Sequence, residues 1–266
     1  MNPPEQAPAG RPRKPRYGAV VHSVRQLTPR MRRIVFGGPE LEGFRWNGPA
    51  AHIKLILGAD SPDGVRAPSR TYTPRHFDAA RRELTVDFVL HGEGPASTWA
   101  AQASVGQPML IAGPGRCYEL DPAAQWLLLA GDESAIPAIA TILEIAPATL
   151  PTRVLIEVDD AADEFALTPP RPNVDLRWLH RAQPLADDAA STGAAAGAEL
   201  FAAVAAFRPP AGHGAIYVAC EAEAMRRIRR QLLLERGVPR EWLTTRGYWK
   251  QGSTDHPDRD YGEDVG

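Results

Sequence analysis

The chain predicts two domains of different class, an antiparallel β-barrel followed by a parallel α/β sheet. Three observations carry that prediction. Residues 16–112 alternate short apolar-rich runs with Gly-Pro, Ser-Pro-Asp-Gly and Asp-Ala-Ala turn signals, and hold one short helical stretch. Beyond residue 120, apolar strand-like runs alternate with helix-length segments. The two patterns meet near residue 120, which places a domain boundary there.

In the first half, residues 17–27 and 30–36 read as strands joined at Thr28-Pro29, followed by 52–57, 70–77 and 83–90. Pro95 stands where a first helical turn tolerates it, and the helix runs to about Ala103. Residues 107–112 form the last strand before Gly113-Pro114-Gly115. Several short strands with one small helix argue for a closed barrel. In the second half, 126–130, 154–158, 176–179 and 216–219 are strand candidates, and helices are expected from about Ser134 to Ile145, over 197–207 and over 221–236. Residues 169–173 and 186–197 read as solvent loops. The resulting layout is a disordered leader over 1–15, a barrel over 16–119, an α/β domain over 120–252 and a tail over 253–266.

Composition bounds the function. At 266 residues with 44% hydrophobic content, the chain can bury two ordinary cores. A net charge of −2 gives no reason to expect nucleic acid or an acidic membrane surface as partner. Cys117 and Cys220 have no zinc or CxxC spacing and suit a reducing compartment. No apolar run reaches 18 residues, and residues 1–16 lack the apolar segment of a secretory signal. The expectation is a cytoplasmic monomer. Only three of the thirty basic residues are lysines, Lys14, Lys54 and Lys250.

The most informative stretch is Arg70-Thr71-Tyr72-Thr73, with Val86-Asp87-Phe88-Val89-Leu90-His91-Gly92 sixteen residues later and Gly94-Pro95-Ala96-Ser97-Thr98-Trp99 after that. Side chains at i and i+2 share one strand face, so Arg70 and Tyr72 can address one ligand as a phosphate anchor and a stacking ring. A helix opening at Ala96, Ser97 and Thr98 offers backbone N–H groups to a pyrophosphate. Together they resemble a flavin cradle, where the tetrapeptide alone would equally read as a surface Arg beside a half-buried Tyr in an ordinary strand.

These segments, with His52-Ile53-Lys54-Leu55, Leu129-Ala130-Gly131-Asp132-Glu133-Ser134-Ala135-Ile136-Pro137-Ala138 and Gly247-Tyr248-Trp249-Lys250-Gln251-Gly252, resemble the siderophore-interacting protein family over roughly residues 16–252. That family is a branch of the ferredoxin–NADP reductase-like flavoenzymes. The resemblance implies an NAD(P)H-dependent ferric-siderophore reductase. Hydride passes from the nicotinamide to FAD, and chelated Fe(III) is then reduced in one-electron steps and released as Fe(II). No catalytic acid or base is implied. Arg70 would meet the flavin phosphates, Tyr72 the isoalloxazine and Thr73 its N5 edge. Asp87, Phe88, Val89 and His91 would form the second flavin strand. Ala96, Ser97 and Thr98 would hold the pyrophosphate, with Trp99 near the adenine.

On the nicotinamide side the resemblance points to Gly131, Asp132, Glu133 and Ser134, with Cys220 either beside the hydride path or a buried inert thiol. Tyr248 and Trp249 either close over the flavin edge or pack in the core. Arg226, Arg227, Arg229 and Arg230 are a solvated helix face or the receptor of a 2′-phosphate, so NADH and NADPH both stay open. An anionic ferric siderophore would meet a basic rim of Lys54, Arg116, Arg246 and Lys250. Here the order Gly113-Pro114-Gly115-Arg116 departs from the family's Gly-Pro-Arg-Gly. No resident metal site is expected, since no His, Cys or carboxylate group has ligand spacing. The other functions open to this sequence are a flavin or ferredoxin-type reductase serving a protein acceptor, and a non-catalytic siderophore carrier.

Overall fold

The computed structural model describes residues 14–58, 63, 67–92, 94–167, 170–181, 195–253, 256 and 260–262. The expected leader over 1–15 and the expected loop over 186–197 lie largely outside the described residues, as does much of the tail.

Seven antiparallel strands make the first sheet: β1 Arg16–Thr28, β2 Met31–Gly37, β3 Ile53–Ile56, β4 Ser69–Tyr72, β5 Pro74–Asp78, β6 Glu83–Val89 and β7 Pro108–Ala112, in the order β4-β3-β7-β1-β2-β6-β5. β1 is long enough to serve two partners. Its first residues pair with β7 and the rest with β2, with register shifts between Val21 and Ser23 and between Gln26 and Thr28. Such irregularities bend a strand and raise its twist, which curls the sheet. The two sheet edges, β4 and β5, are consecutive in the chain and separated by Thr73 alone, so the sheet must turn back on itself. No ladder joins β4 to β5, and the sheet is a curled half-barrel rather than the closed barrel expected from the strand spacing. Its interior holds Val21, Ile34, Phe36, Leu55, Leu84, Phe88 and Ile111, all fully buried. Helix α1, Pro95–Gln102, plugs one end with Ala100 in that core.

The second sheet is parallel: β8 Trp126–Asp132, β9 Thr152–Val158, β10 Val174–His180, β11 Gly214–Glu221 and β12 Leu243–Trp249, in the order β10-β9-β8-β11-β12. β8 and β11 are buried along their whole length, as central strands covered on both faces must be. Helix α2, Ile136–Ile145, packs on the face that meets the barrel, whereas α3, Ala198–Ala206, and α4, Ala222–Arg230, cover the other. α2 begins two residues later than the sequence suggests, because Asp132 first caps a 3-10 turn over Glu133–Ala135. α4 likewise gives way after Arg230 to a wide turn over Gln231–Glu235.

The strand order reverses between β8 and β11. Ligands of open α/β sheets bind beyond the carboxyl ends of the strands at such a point. Here those ends carry Asp132 and Glu221.

The two sheets share a seam. Met31 and Tyr118 are buried in the core of the α/β domain, and Leu27, Ala50 and Val89 pack against it. At the β1–β2 turn, Thr28 Oγ1 donates to Asp163 at 2.9 Å, and Arg30 donates to the same carboxylate from its backbone N–H (3.2 Å) and from Nη1 (3.0 Å). Arg30 also pairs with Asp159 at 2.8 Å. Ala50 N–H donates to Thr141 Oγ1 at 2.9 Å, and Arg75 pairs with Glu144 at 2.7 Å.

Candidate functional site

The three flavin-like segments meet through their aromatic residues. The Tyr72 ring of β4 lies 4.5 Å from Phe88 of β6, and Phe88 lies 5.8 Å from Trp99 of α1. Burial pushes the Tyr72 phenol well above its ordinary range, with the Arg70 charge opposing. Arg70 is half-buried two residues before Tyr72, and its Nη1 donates to the Ser69 carbonyl at 2.8 Å. Thr73 is buried at the corner between β4 and β5.

Helix α1 opens on Gly94 and Pro95 with no side-chain cap, and its first intrahelical bond runs from Thr98 N–H to the Gly94 carbonyl at 2.9 Å. The first-turn N–H groups of Ala96 and Ser97 therefore lack an intrahelical partner, which fits an anionic pyrophosphate. The Ser97 hydroxyl accepts from His91 N–H at 2.9 Å and ties the preceding loop to the helix.

Several residues expected at the flavin turn out to be occupied elsewhere. Asp87 is buried and held by Arg33 through two bonds, Nε to Oδ1 at 2.6 Å and Nη2 to Oδ2 at 2.7 Å, so its carboxylate serves a cross-strand ion pair between β2 and β6. Its donation to Asp87 raises the Arg33 pKa against the cost of its own burial. Phe88 is fully buried in the half-barrel core. Val89 faces the seam. The Trp99 ring, half-buried, packs on Phe36 at 6.0 Å as well as on Phe88 at the margin of that core.

On the α/β side, Asp132 ends β8 with its carboxylate fully engaged. Oδ1 accepts from Ser134 N–H (3.0 Å) and Ser134 Oγ (2.5 Å), and Oδ2 accepts from Glu221 N–H (2.9 Å) and Trp249 Nε1 (2.8 Å). Burial and the Glu133 carboxylate push its carboxyl up to about 7, against the bonds from Ser134 and Trp249 and the charge of Arg181. Glu133 itself meets Arg181 at 2.6 Å, and Arg181 also bonds Glu157 and Asp159. Glu157, fully buried, accepts from the N–H groups of Gly197 and Leu200 at the start of α3.

Gly131 is needed for the packing of β8 against β11 and against the turn that follows β8. A Cβ there would lie 2.6 Å from the Ala219 carbonyl oxygen and 2.5 Å from Ala135 Cβ. Cys220 is fully buried in the core on the α3–α4 face, and burial pushes its thiol well up. That surrounding fits the buried-thiol alternative of the sequence.

The terminal aromatics divide. Tyr248 bonds the Tyr217 hydroxyl at 2.8 Å and packs on the core. Trp249 instead lies across the seam against His91, ring centroids 6.4 Å apart and 26° from parallel.

Of the four arginines expected on one helix, three are engaged within the chain. Arg226 pairs with Asp260 at 2.7 Å, Arg227 lies 4.5 Å over the Phe201 ring, and Arg229 is buried with Nη1 bonded to Thr245. Among the rim residues, Lys54 in β3 and exposed Arg116 flank His52, whose Nδ1 lies 3.2 Å from the Arg116 carbonyl. Arg246 lies 4.5 Å over the Tyr261 ring, and Lys250 pairs with Glu223 at 3.1 Å. Among the described residues no group of His, Cys, Asp or Glu could hold a metal ion.

Comparison with known proteins reads the same way. The model of the siderophore-interacting FAD-binding domain matches residues 20–62 and 59–118, and that of the siderophore-interacting protein matches 124–252. The chain belongs to the siderophore-interacting protein family. Ferric vibriobactin reductase ViuB of Vibrio cholerae is 31% identical, covering 86% of this chain and 87% of its own. An NADPH-dependent ferric-chelate reductase of Escherichia coli is 36% identical over 46% of this chain and 53% of its own. The crystal structure of a siderophore utilization protein from T. fusca aligns with a TM-score of 0.77 at 32% identity, covering 93% of this chain and 96% of that one. The half-barrel is thus the family's FAD-binding domain, and the whole is a ferredoxin reductase-like fold. No helix among the described residues is long and apolar enough to cross a membrane.

Proposed function

We propose that this member of the siderophore-interacting protein family is an NAD(P)H-dependent ferric-siderophore reductase. The observation that carries the reading is the meeting of β4, β6 and the uncapped start of α1 through Tyr72, Phe88 and Trp99, beside a seam with the switch point of a parallel sheet. The names of the Vibrio and Escherichia relatives support the reaction class.

Bound FAD would supply the exchange between a two-electron donor and one-electron acceptors, so that one NAD(P)H reduces two Fe(III) chelates and releases one proton. The chain's own residues position and neutralise. Arg70 and the α1 amides of Ala96 and Ser97 hold the phosphates, and Tyr72 and Thr73 line the ring. Glu133 and Ser134, at the end of β8, stand where the nicotinamide half would lie. Lys54 and Arg116 attract an anionic chelate, joined by Lys250 once Glu223 gives way. Iron enters inside its chelator, and its release follows because Fe(II) binds oxygen-donor chelators far more weakly than Fe(III).

Fe(II) trapping by a ferrous-specific chelator tests the reading. FAD-loaded protein with NADH or NADPH and a ferric siderophore should accumulate Fe(II) under anaerobic conditions. FAD-stripped protein should not. Equal, slow Fe(II) appearance in both samples would refute the proposal.

A further inference from the structure

Asp132 and Trp249 are joined in a way the proposed function does not require. β12 pairs in regular register with β11 up to Gly247 opposite Cys220, and then Glu221 faces Trp249, so Tyr248 is an extra residue. Such a bulge re-aims the side chain that follows it, and bulges recur beside active sites. Here it leaves Tyr248 on the core and turns the Trp249 indole to Asp132 Oδ2 at 2.8 Å. The ring thereby reaches the barrel residue His91. The Asp132 carboxylate is buried and already receives four hydrogen bonds, the full number its lone pairs accept. It has no acceptor left for a nicotinamide carboxamide. The neighbouring Glu221 fixes the same corner, accepting from Glu223 and Ala224 N–H at the start of α4 and from Gln251 N–H just after Trp249.

We propose that Asp132 is a positioning residue that acts through Trp249: its carboxylate locks the indole across the domain seam, and so sets the wall between the β8 turn and His91. The inference rests on the reading of that turn as the nicotinamide side. Its structural half stands without that reading, because the lock belongs to the FAD-loaded protein before any nicotinamide binds.

Two readouts test it. In ¹H–¹⁵N spectra of the FAD-loaded protein, the Trp249 indole N–H, assigned by its loss in Trp249→Phe, should exchange slowly with water. In Asp132→Asn it should shift and exchange faster. Flavin reduction at saturating nicotinamide should slow about tenfold in Asp132→Asn and in Trp249→Phe, within what misplacing a group by about 1 Å can cost. KM should hardly move, and the double variant should be no slower than either single one, since both remove the same contact. Slowing factors that multiply in the double variant would overturn the proposal, because Asp132 would then act on the nicotinamide directly. An indole signal unchanged by Asp132→Asn would overturn it too. Should Asp132→Asn not fold, rapid exchange of the Trp249 indole in the wild type would be contradictory and slow exchange supportive. If nicotinamide fails to reduce the wild-type flavin, the proposed function falls while the indole readout still decides the lock.

Discussion

Replacing Asp163 by Ala should loosen the seam on which the two domains depend. Asp163 is 5% exposed and receives the Thr28 hydroxyl, the Arg30 N–H and the Arg30 guanidinium from the opposite domain. The three bonds differ in weight. The Arg30 side chain is 43% exposed, so its ion pair contributes at most about 1 kcal/mol after solvent screening. Thr28 is 6% exposed, and leaving its hydroxyl unpaired costs about 1–3 kcal/mol. The sum is about 1–4 kcal/mol, which for a chain of this length lowers Tm by roughly 2–15 °C. Differential scanning calorimetry of the FAD-loaded protein measures it. Glu164→Ala, which removes a half-exposed pair with His180, is the matched control and should stay within about 1 kcal/mol of wild type. Equal shifts in the two variants would refute the assignment of seam stability to the buried carboxylate.

Further outcomes follow from the same geometry. Gly131→Ala should destabilise the α/β domain by about 1–3 kcal/mol, because its Cβ meets a backbone carbonyl that cannot move aside; unchanged thermal unfolding would contradict this. Cys220 should resist a thiol reagent in the native protein while half-buried Cys117 reacts, and Cys220→Ala should keep the wild-type rate of flavin reduction; a slowed variant would return this residue to the hydride path. Lys54→Ala and Lys250→Ala should raise KM for an anionic ferric siderophore without changing flavin reduction. That loss should shrink as salt shortens the screening length to about 10 Å at 0.1 M; equal KM values at low salt would move the substrate site elsewhere.

Much of the fold is legible in the sequence because burial writes it there. β8 and β11 read as unbroken apolar runs since both of their faces are covered. That property also hides which face each side chain takes, and Cys220 could be placed only once the sheet had its helices. The run over 70–77 reads as one strand; the structure divides it at Thr73, where a curling sheet needs a corner that no glycine marks. Asp87 looks like a ligand group in sequence because its partner Arg33 lies 54 residues away. A charged residue inside each of two apolar strands was the available signal for that cross-strand pair. Nothing in the linear pattern announces the bulge at Tyr248 that separates it from Trp249, since it depends on the register of β12 on β11, nor the clasp of Arg30 on Asp163, which depends on how two domains meet.

Anaerobic stopped-flow of the two half-reactions tests the central claim most directly. NADH or NADPH should bleach the flavin absorbance, and a ferric siderophore mixed with the reduced protein should restore it while Fe(II) appears. Flavin that neither nicotinamide bleaches would contradict the account and leave a siderophore carrier. Flavin that bleaches but is not reoxidised by the chelate would point to a protein acceptor instead.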